Sequence, residues 1–129
     1  MARNIIDLPT LGDDGRLYRD TALDLVESLI PNPWESCHAP DLLELENGDL
    51  LCCWFAGSSE GNADISIAVA RLPAGASQWE QPVIVSDDPT RSEQNPSLFQ
   101  NPNGDIWLMY TAQAAKKPDE NNPDSMQGT

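Results

Sequence analysis

An internal repeat is the feature that most constrains the fold of this 129-residue chain. Placing Gly48 on Gly104 aligns residues 38–58 with residues 94–114 without a gap, an offset of 56 residues. The tripeptide Asn-Gly-Asp occurs in both copies, and each copy follows it with an apolar run. Because Asn and Gly tolerate a positive φ, each tripeptide predicts a hairpin turn between two strands.

Patterns typical of β-strands also fill the region between the two turns. Residues 50–56 are almost continuously apolar, which predicts a strand buried on both faces. Ile65, Ile67 and Val69 alternate with Ser and Ala, which predicts a half-buried strand. Residues 82–85 predict a short edge strand that begins with proline, and the alternation within 22–30 favours another strand. No helical period follows residue 31.

A hairpin pattern repeated at this spacing indicates four-stranded sheets of the kind that form β-propeller blades. We therefore predict an all-β fold, in which the chain supplies about one and a half blades plus an N-terminal arm. The predicted organisation is an arm that can supply a blade-closing strand at 1–35, a complete blade at 36–90 and a truncated second blade at 91–129. A self-contained small β-sandwich is the alternative.

A propeller typically needs about 4–8 blades to close, so we expect this chain to be the N-terminal piece of a larger protein. The remaining blades would then be partners required for closure. Without them, apolar strand surface at 50–56 and 106–109 is expected to lack cover. The isolated chain should accordingly be marginally stable, oligomeric or prone to aggregation.

Charge and cysteine content exclude several classes of function. Asp and Glu number 21 against 7 Lys and Arg, a net charge of −14, which argues against nucleic acid or an anionic membrane as partner. The longest apolar run is far shorter than the roughly 20 residues of a membrane span, and no signal peptide is apparent, so we expect a cytoplasmic protein unless a leader has been trimmed. Three cysteines and one histidine predict reduced structural thiols, with no metal and no cofactor.

Four short segments carry a resemblance to a known family. They are HAP at 38–40, NGDLL at 47–51, EGNADI at 60–65, and Gly75 with Trp79 in a degenerate form of the family's Asp box. With these segments the chain resembles the sialidase-like, BNR-repeat β-propellers. Sialidases open the first of these strands with an arginine that grips the substrate carboxylate, and His38 stands at that position. The resemblance implies a carbohydrate-active enzyme that cleaves acidic glycans as a hydrolase or a lyase.

Blade topology groups the candidate site residues at one face of the propeller. Inner strands start at that face and their hairpin turns lie at the other, so the loop after the second strand returns to the first face. The candidate catalytic residues are His38, Glu60 and Asp64, and the candidate substrate-binding residues are Gln94 and Asn95.

These residue types suit sugar chemistry, because histidine titrates near neutral pH and paired carboxylates divide acid and base roles. Each also has a structural explanation: a backbone-bonded strand start, a solvated loop acid, a turn cap or a turn starter. Trp54 and Tyr110 are predicted to pack within the blades. The alternative functions are a non-catalytic glycan-binding propeller and a protein-interaction propeller.

Overall fold

A computed structural model describes residues 3–8 and 11–116 of the chain. Within these residues the chain forms nine β-strands in three sheets, and none of the described segments is helical. Accordingly, the described part contains no helix long and apolar enough to cross a membrane. The all-β class predicted from the hairpin repeat is confirmed.

The first 35 residues contain a small sheet of three short strands. These are β1 (Ile6–Asp7), β2 (Tyr18–Asp20) and β3 (Leu25–Glu27), with β1 parallel and β3 antiparallel to β2. The Asp20 carboxylate accepts hydrogen bonds from the backbone N–H groups of Ala22 and Leu23, at 2.9 and 3.1 Å, and so shapes the turn into β3. The strand favoured within 22–30 is therefore present, but it is only three residues long.

The main sheet is a four-stranded antiparallel meander. Its strands are β4 (Ser36–Glu44), β5 (Leu50–Gly57), β6 (Ser66–Leu72) and β7 (Val83–Ile84), and each pairs with the next along the chain. The last strand lies at the sheet edge, as the proline at its start predicts. This order is that of one complete propeller blade.

A second hairpin follows and repeats the first half of the meander. It consists of β8 (Arg91–Gln100) and β9 (Ile106–Ala114). The two predicted turns have matching geometry: Gly48 has a φ of 87° and Gly104 a φ of 90°, and each donates its N–H over 2.9 Å to the carbonyl three residues earlier. The chain thus supplies about one and a half blades of a β-propeller.

Apolar residues cover both faces of the main sheet. One core cluster lies between the sheet and the N-terminal segment, and it consists of Leu17, Cys52, Trp54, Ala56, Ala68, Ala70, Leu72 and Trp79. The other lies between the sheet and the second hairpin, and it consists of Leu45, Leu51, Cys53, Phe55, Ile65, Ile67 and Leu98. Residues 51–56 are consequently buried, as their apolar run predicts.

Two expectations about exposure are wrong. Strand β6 is not half-buried, because Ala68 and Ala70 are at most 1% exposed on the face that packs near Leu17 and Trp79. Residues 50–56 do not lack cover, because the N-terminal segment and the second hairpin enclose them. The same expectation for residues 106–109 is confirmed, because Trp107 and Met109 on β9 are both more than half exposed.

Candidate functional site

Backbone pairing places the predicted site residues at one end of the sheets. Ser36 at the start of β4 pairs with Gly57 at the end of β5. Glu93 near the start of β8 donates its N–H to the Ile65 carbonyl over 3.0 Å, and the Lys116 N–H reaches the Gly61 carbonyl over 2.6 Å. We call this end, residues 36–39, 58–65 and 91–95, the rim. The two Asn-Gly turns lie at the opposite end.

The rim carries the same backbone irregularity in both copies of the repeat. Pairing of β4 with β5 slips between His38 and Asp41, and pairing of β8 with β9 slips between Gln94 and Ser97. Each slip is a β-bulge in which two residues face one on the partner strand. Its first residue has a left-handed conformation, with a φ of 52° at both Ala39 and Asn95.

His38 precedes the first bulge and is exposed. Its imidazole lies against the ring of Phe55, its pairing partner on β5, with 5.8 Å between the ring centroids and a tilt of 52°. The buried phenyl ring thus supports one side of the imidazole, while the other parts of the histidine reach solvent. This arrangement leaves His38 available to a ligand.

The two predicted carboxylates lie on the loop between β5 and β6, and both residues are exposed. Asp64 accepts hydrogen bonds from the Ser58 hydroxyl over 2.9 Å and from the Ser58 backbone N–H over 3.2 Å. Asn62 donates to the same hydroxyl over 3.1 Å. Asp64 therefore closes its loop, whereas Glu60 projects from that loop at the rim.

The two predicted amide residues differ in exposure. Gln94 is only 4% exposed, and its side-chain amide donates to the Ser92 hydroxyl over 2.8 Å. Its backbone carbonyl accepts a hydrogen bond from the Thr111 hydroxyl over 3.1 Å. Asn95 is exposed at the bulge. Asn95 is therefore the amide of this pair that can meet a ligand directly.

A buried carboxylate, absent from the candidates that the sequence indicates, lies next to these amides. Glu93 is 1% exposed and accepts a hydrogen bond from the Ser86 hydroxyl, which itself accepts the Ile67 backbone N–H over 2.7 Å. Burial raises the pKa of the nearby Tyr110 phenol, and the negative charge of Glu93 and a hydrogen bond to it add to this effect. The available sequence signal was the run of polar residues at 92–94 in a strand otherwise expected to pack.

An apolar cavity of about 410 Å³ opens beside His38 and is bounded on its inner side by Trp54. Trp54 is 6% exposed, packs edge-on against Trp34 at 6.4 Å and donates its indole N–H to the Asn32 side chain over 3.2 Å. The prediction that Trp54 packs within the blade is confirmed. Tyr110, its counterpart in the repeat, is 40% exposed and lies near Glu93 instead.

The two buried thiols add no reactive group to the rim. Cys52 and Cys53 are buried and Cys37 is exposed, and all three are free. Burial raises the pKa of Cys53 to about 11, so its thiol stays protonated at neutral pH. Among residues 3–8 and 11–116, no group of three or more His, Cys, Asp or Glu side chains is placed to hold a metal ion.

Comparison with family models identifies the repeat. Residues 48–126 match the model described as BNR repeat-like domain, which covers more than half of the chain. The chain belongs to the BNR repeat-like family. Searches among curated proteins and among solved structures returned no significant match. Membership accounts for the repeated hairpins and assigns neither a ligand nor a reaction to the rim.

Proposed function

We propose that this BNR repeat-like chain forms part of a carbohydrate-active β-propeller that binds acidic glycans at the rim and cleaves their glycosidic bonds. The observation that carries the proposal is the repeated bulge, with its left-handed Ala39 and Asn95, beside His38 and Gln94. A left-handed non-glycine residue costs about 1–2 kcal/mol, and such strain concentrates at functional sites. Because Asn tolerates this conformation, the strain lies at Ala39. A strained bulge there, with a second bulge at the equivalent position of the neighbouring inner strand, supports a ligand site at this end.

The exposed side chains of the rim supply groups suited to sugar chemistry. In a lyase, His38 would take the proton α to a uronate carboxyl group, and the Asn95 amide would bind that carboxyl group while the glycosidic oxygen departs from the β carbon. In a hydrolase, Glu60 would donate a proton to the departing glycosidic oxygen. Asp64 would assist by holding the loop that carries Glu60, through its bonds to Ser58.

Two cationic residues lie near the rim of this chain, whose net charge is −14. Arg91 is exposed at the start of β8, and the backbone of Lys116 is bonded to the loop that contains Glu60. These cationic residues lie among carboxylates of the same end, such as Glu60, Asp64 and Asp88, so any attraction of a glycan carboxylate to them would be confined to about 10 Å at 0.1 M salt. Further blades, supplied by other chain segments, would enclose the ligand from the remaining sides of the channel.

A non-catalytic glycan-binding propeller is the second candidate. It is favoured by the hydrogen bonds of Asp64 to Ser58, which occupy a carboxylate that a two-acid glycosidase would need for the reaction. In this candidate the rim would use the same His38 and Asn95 to hold the sugar without cleaving it.

Incubation of the full chain with a panel of acidic and neutral oligosaccharides tests the proposal. Hydrolysis would release new reducing ends, whereas a lyase would also create the ultraviolet-absorbing double bond of an unsaturated uronate. Cleavage of the acidic members supports the proposal, and binding of them without any product favours the second candidate. Failure to bind or cleave any member of the panel would overturn both.

A further inference from the structure

The two bulges of the rim are connected by a single carboxylate. Asp41 lies immediately after the bulge in β4, and one of its oxygens accepts hydrogen bonds from the Leu98 backbone N–H over 2.8 Å and from the Ser97 hydroxyl over 3.1 Å. Ser97 and Leu98 lie immediately after the bulge in β8. The second carboxylate oxygen accepts the Leu42 backbone N–H over 3.1 Å. Asp41 therefore binds the backbone on the far side of both irregularities.

The hydrogen bonds of Asp41 join equivalent positions of the two copies of the repeat. Ser97 stands 56 residues after Asp41, so the carboxylate of one blade meets the equivalent position of the next. Hydrogen bonds to charged groups are stronger than those between neutral ones, and a bulge leaves the local ladder of the sheet interrupted. The bond from the Leu98 N–H also holds the pKa of Asp41 below its usual value, so the carboxylate is charged at neutral pH.

We propose that Asp41 is a positioning residue of the rim: it holds the bulge of β8 against the bulge of β4 and so sets the separation between His38 and Asn95. This inference rests on the proposed glycan site for its functional meaning. The structural part of the proposal, that Asp41 holds the backbone at Leu98 and thereby the position of Asn95, does not depend on the glycan site. Asp41 itself would not touch the ligand, and its effect on binding would pass through the backbone on which Asn95 is displayed.

The test compares substitutions of Asp41 with substitutions of Asp49, a carboxylate that serves the opposite end of the blade. Asp49 accepts the Ala74 backbone N–H over 2.7 Å and pairs with the Arg71 guanidinium, so its loss perturbs the fold without touching the rim. Amide exchange at Leu98 and the NMR signals of the Asn95 backbone and side chain report on the bulge directly. Glycan affinity and the melting temperature are measured on the same proteins.

Asp41→Ala should speed exchange at Leu98 at least tenfold, shift the Asn95 signals and weaken glycan binding about tenfold. Asp41→Asn keeps an acceptor oxygen and should recover most of the lost affinity. Asp49→Ala should lower the melting temperature while leaving the Leu98 and Asn95 signals and the affinity unchanged.

Unchanged Leu98 exchange and Asn95 signals in Asp41→Ala would overturn the inference, and so would equal effects of Asp41→Ala and Asp49→Ala on affinity. If the wild-type chain binds no glycan, the proposed function fails. In that case the exchange and NMR results alone decide whether Asp41 positions the bulge.

Discussion

The left-handed backbone at Ala39 predicts that glycine is tolerated there better than at an ordinary strand position. Alanine with a φ of 52° is strained by about 1–2 kcal/mol, and glycine removes that strain. Against this, glycine costs about 0.5–1 kcal/mol in backbone entropy. It also loses the half-buried methyl group of Ala39, and burying a whole methyl group contributes about 0.8 kcal/mol. We therefore expect Ala39→Gly to change the free energy of unfolding by about 0–1 kcal/mol in the stabilising direction.

The matched control is Ala112→Gly. Ala112 is exposed on β9 and has no left-handed φ, so glycine there should cost about 0.5–1 kcal/mol with no strain to relieve. Urea unfolding, with the dependence on denaturant unchanged between variants, measures both free energies. The difference between the two variants should be about 0.5–2 kcal/mol. Equal destabilisation by both substitutions would refute the argument that the rim stores backbone strain.

Three further predictions follow from other parts of the structure. Cys53 should make stability fall by on the order of 1–2 kcal/mol as the pH rises from 9 to 11, because its folded-state pKa lies near 11, above its unfolded value of 9.0, and one pKa unit is worth about 1.4 kcal/mol. Cys53→Ala should remove this contribution, as followed by thermal unfolding across that range. Backbone hydrogen bonds hold the pKa values of Asp41 and Asp49 below 3.8. Their contribution to stability is therefore present above pH 3.8 and is lost as the pH falls through the lowered values. In the Asp41→Asn, Asp49→Asn double variant, the melting temperature should fall less steeply with decreasing pH than in the wild type. Trp107 is 52% exposed and stacked on a second aromatic ring, so it should promote self-association of the chain. Trp107→Lys should therefore shift sedimentation towards the monomer. Unaltered sedimentation would show that the association does not involve Trp107.

Much of the fold could be predicted from the sequence because local chemistry determines it. The Asn-Gly turns need a positive φ, which Gly48 and Gly104 provide, and the apolar run of β5 needs cover on both faces. The exposure of β6 could not be predicted in the same way. Small residues at Ala68 and Ala70 are equally compatible with a solvated face and with a close-packed one. The positions of Leu17 and Trp79, which lie outside the strand, decide between them.

The candidate site was predictable to the level of which end of the sheet it occupies. Chain reversal at each hairpin places His38 and Asn95 at the same end, whatever the details of packing. Individual roles depend on tertiary contacts that no local pattern specifies: Gln94 turns inward to Ser92, and Asp64 closes its loop on Ser58.

The measurement that bears most directly on the proposed function compares His38→Ala with Asn47→Ala in the full chain, on the acidic glycan that gives the strongest response. His38 is exposed at the rim, whereas the Asn47 side chain accepts the Asp49 backbone N–H over 3.0 Å in the hairpin at the other end. If His38 is a general base, its loss should reduce turnover by about 10²–10⁴-fold with little change in melting temperature. Asn47→Ala should lower the melting temperature and leave activity per folded molecule unchanged. A His38→Ala protein that unfolds more readily yet keeps full activity per folded molecule would contradict the account.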